Sequence, residues 1–208
     1  MAAGPSGILP ADGIPSSVST DTAHLMGLSP VPARAAPDLT LVDQNGQHLS
    51  LASLKGKTVV LTLMDPHCVD ICPIVSQESL DAYHNLGASA ANVVFVAVDV
   101  NSFYATVSDV ASFSAAHRLN SITSWHFVTG SVADMQKVWD AYDIAVAEKS
   151  STADIIHTNI IYFIDPAGQV RFVADPQVDY TDDGTAYLPT NEIVSWGQGI
   201  AQTSLSLT

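Results

Sequence analysis

One stretch of the sequence, residues 59–73, constrains the fold more than any other. It begins with an apolar run that is typical of a strand buried on both faces, and a short polar turn follows. The only two cysteines of the chain, Cys68 and Cys72, come next, and residues 74–86 have the pattern of a helix. Two thiols at a strand-to-helix junction predict either a metal site or a reversible disulfide.

The spacing of the two cysteines determines what they can do together. Side chains four residues apart lie on one face of a helix, so both sulfurs can point to one site if Cys72 lies in the first turn and Cys68 just before it. Backbone N–H groups at a helix N-terminus favour the thiolate form. A thiolate pair prefers a soft metal such as Cu(I), whereas structural zinc normally takes four protein ligands. Copper therefore fits better, and the alternative is a pair of small buried side chains.

A third ligand is expected from another strand end at the same edge of the sheet, where α/β folds build their sites. His157 is the best candidate, since it directly precedes the predicted strand 158–164 and follows the loop 149–154. A hydrogen-bonded structural histidine is the alternative interpretation. His67, next to Cys68, is either a further ligand or a turn residue. The remaining histidines are interpreted as surface or packing residues: His24, His48, His84, His117 and His126.

The charge of the chain limits its partners. The formal net charge is −14, with seven lysines and arginines in 208 residues, which disfavours nucleic acid and anionic membrane surfaces as partners. A cation or a basic protein surface is the favoured partner. The chain is 47% hydrophobic, which is sufficient for one core but not for two domains of ordinary size.

The N-terminal residues 1–36 are rich in Pro, Ala, Gly and Ser and predict a flexible arm, followed by a single domain over residues 37–208. The arm lacks the basic start and apolar core of a signal peptide. We expect an extracytoplasmic protein whose membrane contact, if any, is made through an anchor that this sequence does not contain.

The remaining pattern predicts an α/β domain with a central mixed sheet flanked by helices. Asn45 and Gly46 separate two short apolar runs and predict an N-terminal β-hairpin over residues 38–51. Strands are predicted at 58–64, 93–98, 125–128, 158–164 and 170–173, and helices at 74–86, 107–117 and 190–204. A further helix begins after Ser131, and four of its residues are expected in the core: Val132, Met135, Trp139 and Tyr142.

Several segments, taken in order, resemble the Sco/SenC family. They are 36–41, the hairpin, 53–57, the strand before the cysteines, the Cys68-x-x-x-Cys72-Pro73 motif, 94–99, 125–130 and the run from His157 to Gly168. The resemblance implies a thioredoxin-like fold, an extracytoplasmic domain usually tethered to a membrane, and copper bound by Cys68, Cys72 and His157. Members of the family act in assembly of the dinuclear copper centre of cytochrome c oxidase, as copper donors or as reductants of its cysteines.

The sequence departs from the family pattern beside the site. Val69 stands where the family commonly has proline, and residues 65–67 and 99–104 differ from the usual motifs. These changes leave the three expected ligands in place. They affect the acceptor, the redox potential and the metal affinity that the resemblance would otherwise imply.

Two functions of different classes follow. The first is a copper-binding metallochaperone that passes Cu(I) or Cu(II) to a copper-accepting subunit of a terminal oxidase or to another cuproprotein. The second is a thiol-disulfide oxidoreductase, in which one cysteine attacks a disulfide of a copper-protein partner, the other resolves the mixed disulfide, and a thiol reductant restores the pair. A peroxiredoxin-like peroxidase is disfavoured because no arginine lies near the cysteines in the sequence. A purely structural interaction domain would have unreactive thiols.

Overall fold

Residues 13–147 and 155–208 are described by the structure, a computed structural model. The helices are α1 (Thr20–Leu25), α2 (Ile71–Leu86), α3 (Val107–Ala116), α4 (Val132–Ala141) and α5 (Thr190–Leu205). The strands are β1 (Ser29–Ala35), β2 (Thr40–Val42), β3 (His48–Ser50), β4 (Thr58–Met64), β5 (Val93–Asp99), β6 (Trp125–Val128), β7 (Val146–Ala147), β8 (Ile156–His157), β9 (Ile161–Ile164), β10 (Gln169–Ala174), β11 (Asp179–Tyr180) and β12 (Ala186–Tyr187). Short 3-10 helices lie at Leu51–Leu54, Gly87–Asn92 and Leu119–Ser121.

One mixed sheet organises the domain, with the strand order β1-β10-β9-β4-β5-β6. Strands β4, β5 and β6 are parallel, β9 is antiparallel to β4, and β10 is antiparallel to both β9 and β1. Every residue of β4 and β5 is buried, because these mostly apolar strands are covered on both faces. The mixed sheet with flanking helices confirms the predicted fold class.

Alternate residues of β4 face two different apolar cores. Val60 and Met64 pack in the core that also contains residues of α1, α2, α3 and α5. Leu61 and Leu63 pack on the other side, with α4 and the hairpin of β2 and β3. The period of two along this strand therefore supplies side chains to both layers.

The hairpin and α4 agree with the sequence prediction at all but one residue. The turn between β2 and β3 has Gly46 at a φ of 75°, a left-handed conformation that favours glycine. In α4 the predicted core residues are buried: Met135, Trp139 and, just after the helix, Tyr142. The prediction for Val132 is wrong, since this side chain is 48% exposed at the first helical position, ahead of the turn that packs on the sheet.

The parallel pairing of β4 and β5 collects polar residues at one edge of the sheet. Met64 lies opposite Asp99 in register, so the chain leaves both strands at the same edge. The backbone N–H of Val100 donates to the carbonyl of Met64 at 3.1 Å and holds the two strand ends together. We call this the thiol edge, because the loop from β4 to α2 carries Cys68.

Helix α2 begins at Ile71 rather than at residue 74, which places Cys72 in its first turn. Asp70 is the N-cap residue, and its carboxylate accepts a hydrogen bond from the N–H of Ile71 at 2.6 Å. Helix α5 packs closely on α2. A Cβ atom at Gly197 would lie 2.5 Å from the Cβ atom of Asp81, so this approach requires glycine.

The expected flexible arm over residues 1–36 does not hold for its described part. This part contains α1, capped by the Ser19 side chain, and β1, which pairs with β10 at the edge of the sheet. Pro30 and Pro32 are compatible with β1 because an edge strand needs ladder hydrogen bonds on one side only. Residues 1–12 lie outside the described residues.

The predicted strand 158–164 is shorter in the structure, where β9 covers only its second half. Thr158 turns away from the sheet: its N–H donates to the carbonyl of Ala145 at 2.9 Å, and its hydroxyl accepts from the N–H of Ala145 at 3.0 Å. His157 therefore lies in β8, which pairs with β7. The predicted loop 149–154 lies outside the described residues.

Candidate functional site

The loop that carries Cys68 is shaped by Asp65, the first residue after β4. The carboxylate of Asp65 accepts hydrogen bonds from the N–H of His67 at 2.7 Å and from the side-chain amide of Asn101 at 2.8 Å. Its carbonyl accepts from the N–H of Cys68 at 3.1 Å. Asp65 thus folds the chain into a tight turn that delivers Cys68 to the start of α2.

The two thiols are adjacent and reduced. The sulfur of Cys68 accepts a hydrogen bond from the backbone N–H of Cys72 at 3.3 Å, and the thiol of Cys68 donates to Asp70 at 2.9 Å. Cys68 is partly exposed, whereas only 2% of Cys72 is exposed. Cys68 is therefore the thiol that a partner can reach first.

The environment of Cys72 opposes its ionisation. The hydrogen bond with Cys68 raises the pKa of Cys72 well above its ordinary value, and burial and the nearby Asp65 charge raise it further. The Cys72 thiol therefore retains its proton at neutral pH until Cys68 is engaged or a cation replaces that proton.

His157 has a defined tautomer. Its Nδ1 lies 2.8 Å from the carbonyl oxygen of Thr158, which can only accept, so Nδ1 carries the hydrogen and Nε2 has the free lone pair. Burial lowers the pKa of His157 against the opposing effects of the Thr158 carbonyl, Asp65 and Asp70. The imidazole is therefore neutral near pH 7, which is the form that binds metals.

Two aspartates act on the three residues predicted as ligands. The Asp65 charge acts on both Cys72 and His157, and Asp70 acts on His157 and bonds to Cys68. The two cysteines are joined by the hydrogen bond from the Cys72 N–H to the Cys68 sulfur. Within residues 13–147 and 155–208, however, no three His, Cys, Asp or Glu side chains are arranged to hold a metal ion.

Comparison with known proteins identifies the family. The family model described as SCO1/SenC matches residues 29–185. The chain belongs to the SCO1/SenC family.

Two solved structures and one curated protein illustrate the range of relatives of this SCO1/SenC chain. The SCO1 protein homolog of Bacillus subtilis is 27% identical over 75% of this chain and 77% of its own length. The structure of Bradyrhizobium japonicum ScoI with copper bound has a TM-score of 0.62 at 19% identity and covers 82% of this chain and 99% of its own. BsSco is described as having a disulfide switch and as a member of the Sco family of cytochrome c oxidase assembly proteins. Its structure has a TM-score of 0.57 at 23% identity and covers 81% of this chain and 94% of its own. The fold is thioredoxin-like.

His67 makes its ring contacts with residues that follow β5 in this SCO1/SenC chain. Its ring stacks on Tyr104, with centroids 3.5 Å apart, and its Nε2 lies 3.8 Å from the Asp109 carboxylate. The stack joins the loop of Cys68 to the loop that follows β5. Sequence analysis could not decide between ligand and turn residue for His67, and the contacts favour the second.

A buried polar network behind the thiols was missed by the sequence analysis of this SCO1/SenC chain. Asp99 accepts hydrogen bonds from the N–H of Asn101 at 2.9 Å and from the hydroxyl of Thr129 at 2.8 Å. Burial raises the pKa of Asp99 to about 8, against those hydrogen bonds, and the charges of Asp65 and Asp109 raise it as well. The sequence signal for this network was Asp99, which directly follows the predicted apolar strand 93–98.

No helix within the described residues is long and apolar enough to cross a membrane.

Proposed function

We propose that this chain is a copper-binding metallochaperone in assembly of the dinuclear copper centre of cytochrome c oxidase, with copper held by Cys68, Cys72 and His157. One observation carries the proposal: the two thiols meet at the first turn of α2, and the hydrogen bond of Nδ1 leaves the Nε2 of His157 available to bind a metal. The copper bound by the Bradyrhizobium relative and the assembly role given for the family of BsSco support it.

The side chains suit a soft cation. Thiolate sulfur and neutral imidazole nitrogen are ligands that copper prefers in proteins. Loading displaces the thiol protons, so the high pKa of Cys72 makes retention of copper weaker as the pH falls. The buried carboxylate of Asp65 adds negative charge beside the site and favours an incoming cation.

Hand-over follows from the small number of ligands. Three protein ligands leave a coordination position open, so a ligand of the acceptor can bind before Cys68, Cys72 and His157 leave. His157 lies on the short strand β8 rather than on a long central strand. The acceptor is a copper-accepting subunit of a terminal oxidase or another cuproprotein outside the cytoplasm.

Copper retention tests this function. The reduced protein is mixed with copper in the absence of air, excess metal is removed, and bound copper is measured per chain. We expect about one copper ion per wild-type chain and a loss of about tenfold or more in affinity for His157→Ala. His84→Ala, which removes an exposed histidine near the end of α2, is the matched control and should bind like wild type. Unchanged retention in Cys68→Ala or Cys72→Ala would reject the proposal.

A second function, reduction of cysteines in a copper-protein partner, is favoured by the unequal exposure of the thiols. The accessible Cys68 can attack a partner disulfide and the buried Cys72 can resolve the mixed disulfide, which leaves a Cys68–Cys72 disulfide and two reduced partner thiols. A thiol reductant then restores the pair. His157→Ala separates the functions, because it should weaken copper binding while thiol exchange continues.

A further inference from the structure

Three large apolar side chains next to the proposed site are exposed to solvent. Val69, between the two cysteines, is 87% exposed, Ile156, beside His157, is 64% exposed, and Phe103 is 46% exposed. They belong to three separate segments: the loop before α2, strand β8, and the loop between β5 and α3.

Contacts join the loop that carries Val69 to the loop that carries Phe103. The N–H of Phe103 donates to the side chain of Asn101, which in turn donates to Asp65 in the Cys68 loop. The stack of His67 on Tyr104 joins the same two loops. Strand β8 belongs to the same site under the proposed function, because Ile156 directly precedes the proposed ligand His157. We call Val69, Phe103 and Ile156 the apolar rim.

The charges around the apolar rim are negative. Asp70 and Asp109, both partly exposed, lie beside Cys68 and His67. Four of the six lysines and arginines among the described residues lie at the opposite edge of the sheet. Lys55 and Lys57 directly precede β4, and Arg34 and Arg171 lie on the paired ends of β1 and β10. Arg118 follows the far end of α3, and Lys137 is paired with Asp134 on α4.

We propose that the apolar rim docks a polypeptide segment of the acceptor protein in which apolar side chains are flanked by Lys or Arg. The inference rests on the proposed function and adds the chemistry of the partner surface. Three partly exposed apolar side chains bury too little area for tight association, because the freedom that the partners lose offsets most of what their burial contributes. Docking is therefore weak and short-lived, as a protein that must release its acceptor requires.

Peptide titration followed by amide NMR tests the docking. Three cysteine-free peptides are used: one with Leu and Phe flanked by Lys, one with the same apolar residues flanked by Glu, and one with the Lys flanks but Ser in place of the apolar residues. We expect the first to bind at least tenfold more tightly than the others and to shift the amides of Val69, Phe103 and Ile156 but not those around Val132. The preference for Lys over Glu should decrease as salt is added.

Matched variants identify the surface. Val69→Ser and Ile156→Ser should each weaken binding of the first peptide about tenfold, which corresponds to about 1.4 kcal/mol. Val132→Ser removes a side chain that is 48% exposed on α4 and should leave binding unchanged.

Several results would overturn the docking proposal. Equal binding of the Lys and Glu peptides, no binding, or binding that is insensitive to Val69→Ser would do so. Light scattering that shows a wild-type dimer dissociated by Val69→Ser would assign the apolar rim to a second copy of the chain. Copper retention is measured separately on the same proteins. Undiminished peptide binding in Val69→Ser and Ile156→Ser with normal copper retention rejects only the docking, whereas a wild type that binds the first peptide but retains no copper rejects only the copper function.

Discussion

Two groups of buried aspartates shape turns in this protein, and they differ in what neutralises them. Asp43, at the turn of the hairpin, lies 2.9 Å from His126, and Asp165, after β9, lies 3.1 Å from Arg171. At the thiol edge, Asp65 and Asp99 accept hydrogen bonds from neutral donors instead. Asp43 thus faces a histidine and Asp165 an arginine, whereas Asp65 and Asp99 have no lysine or arginine partner within the described residues.

The pKa values follow this difference. Burial raises the pKa of Asp43, but the Gln47 N–H and His126 outweigh it, so the pKa is lowered overall. For Asp99 burial dominates and the pKa rises to about 8. The contrast teaches that burial keeps Asp99 largely protonated at neutral pH, whereas Asp43 is ionised, so the two turns differ in charge and in the pH dependence of their stability.

The largest effect is expected from Asp99→Asn. The pKa of Asp99 is raised on folding, so its contribution to stability is fully present below about pH 4 and is lost as the pH rises through about 8. At about 1.4 kcal/mol per pKa unit, the difference from the ordinary value gives an upper bound on the order of 6 kcal/mol. Urea unfolding of wild type should show a fall in stability between pH 5 and pH 8.5 that is much smaller in Asp99→Asn. Parallel pH profiles for the two proteins would contradict the comparison.

Asn101→Ala should have the next largest effect. The variant removes one of the two donors described for the buried carboxylate of Asp65 and deprives the Phe103 N–H of the Asn101 side-chain acceptor. The expected loss in the free energy of unfolding is about 2 kcal/mol. Asn191→Ala, at an exposed position in the first turn of α5, is the control and should change stability little. A loss no greater in Asn101→Ala than in the control would show that neutral donors do not hold the thiol edge.

Asp43→Asn should cost less, about 1 kcal/mol at pH 7, because the amide oxygen can still accept from Asn45 and Gln47 while the charge facing His126 is lost. Since the pKa of Asp43 is lowered on folding, its contribution is present above about pH 4 and is lost as the pH falls below that value. Thermal unfolding at pH 7 and pH 3 checks this: the gap between wild type and variant should close in acid. A gap that widens in acid would reverse the comparison.

Arg171→Ala is expected to have the smallest effect, on the order of 0.5 kcal/mol, because the Arg171 side chain is 34% exposed and water screens its pair with Asp165. Lys55→Ala, at the same edge, is the control. Urea unfolding at low and high salt measures the difference. A loss of several kcal/mol in Arg171→Ala would mean that the cation, rather than the backbone N–H groups, holds the Asp165 turn.

The parts of the fold that follow from local pattern were predictable. The Asn45-Gly46 turn, the apolar strand β4 and the stripe of α4 each depend on residues close in sequence, and each is present in the structure. The pairing of β1 with β10 was not predictable, because Pro30 and Pro32 suggest an extended segment and only the distant β10 makes that segment an edge strand.

The candidate site likewise has features that local sequence predicts and features that depend on distant contacts. The cysteine pair follows from its spacing, and the contact between Cys68 and Cys72 was expected at the start of a helix. The break in the predicted strand 158–164 depends on the contact of Thr158 with Ala145, and the buried position of Asp99 depends on Thr129 and Asn101. Those contacts join segments that a linear pattern treats separately. The roles of Cys68, Cys72 and His157 as ligands stay predictions.

The position of β1 also has a consequence for the order in which the polypeptide acquires its fold. Ser29 pairs with Val173, and Met26 and Thr22 of the preceding segment lie against Gly199 of α5. A ribosome makes this segment well before the residues of β10 and α5 with which it packs. Because such distant contacts form slowly, the nascent segment stays open to chaperones until α5 has been synthesised.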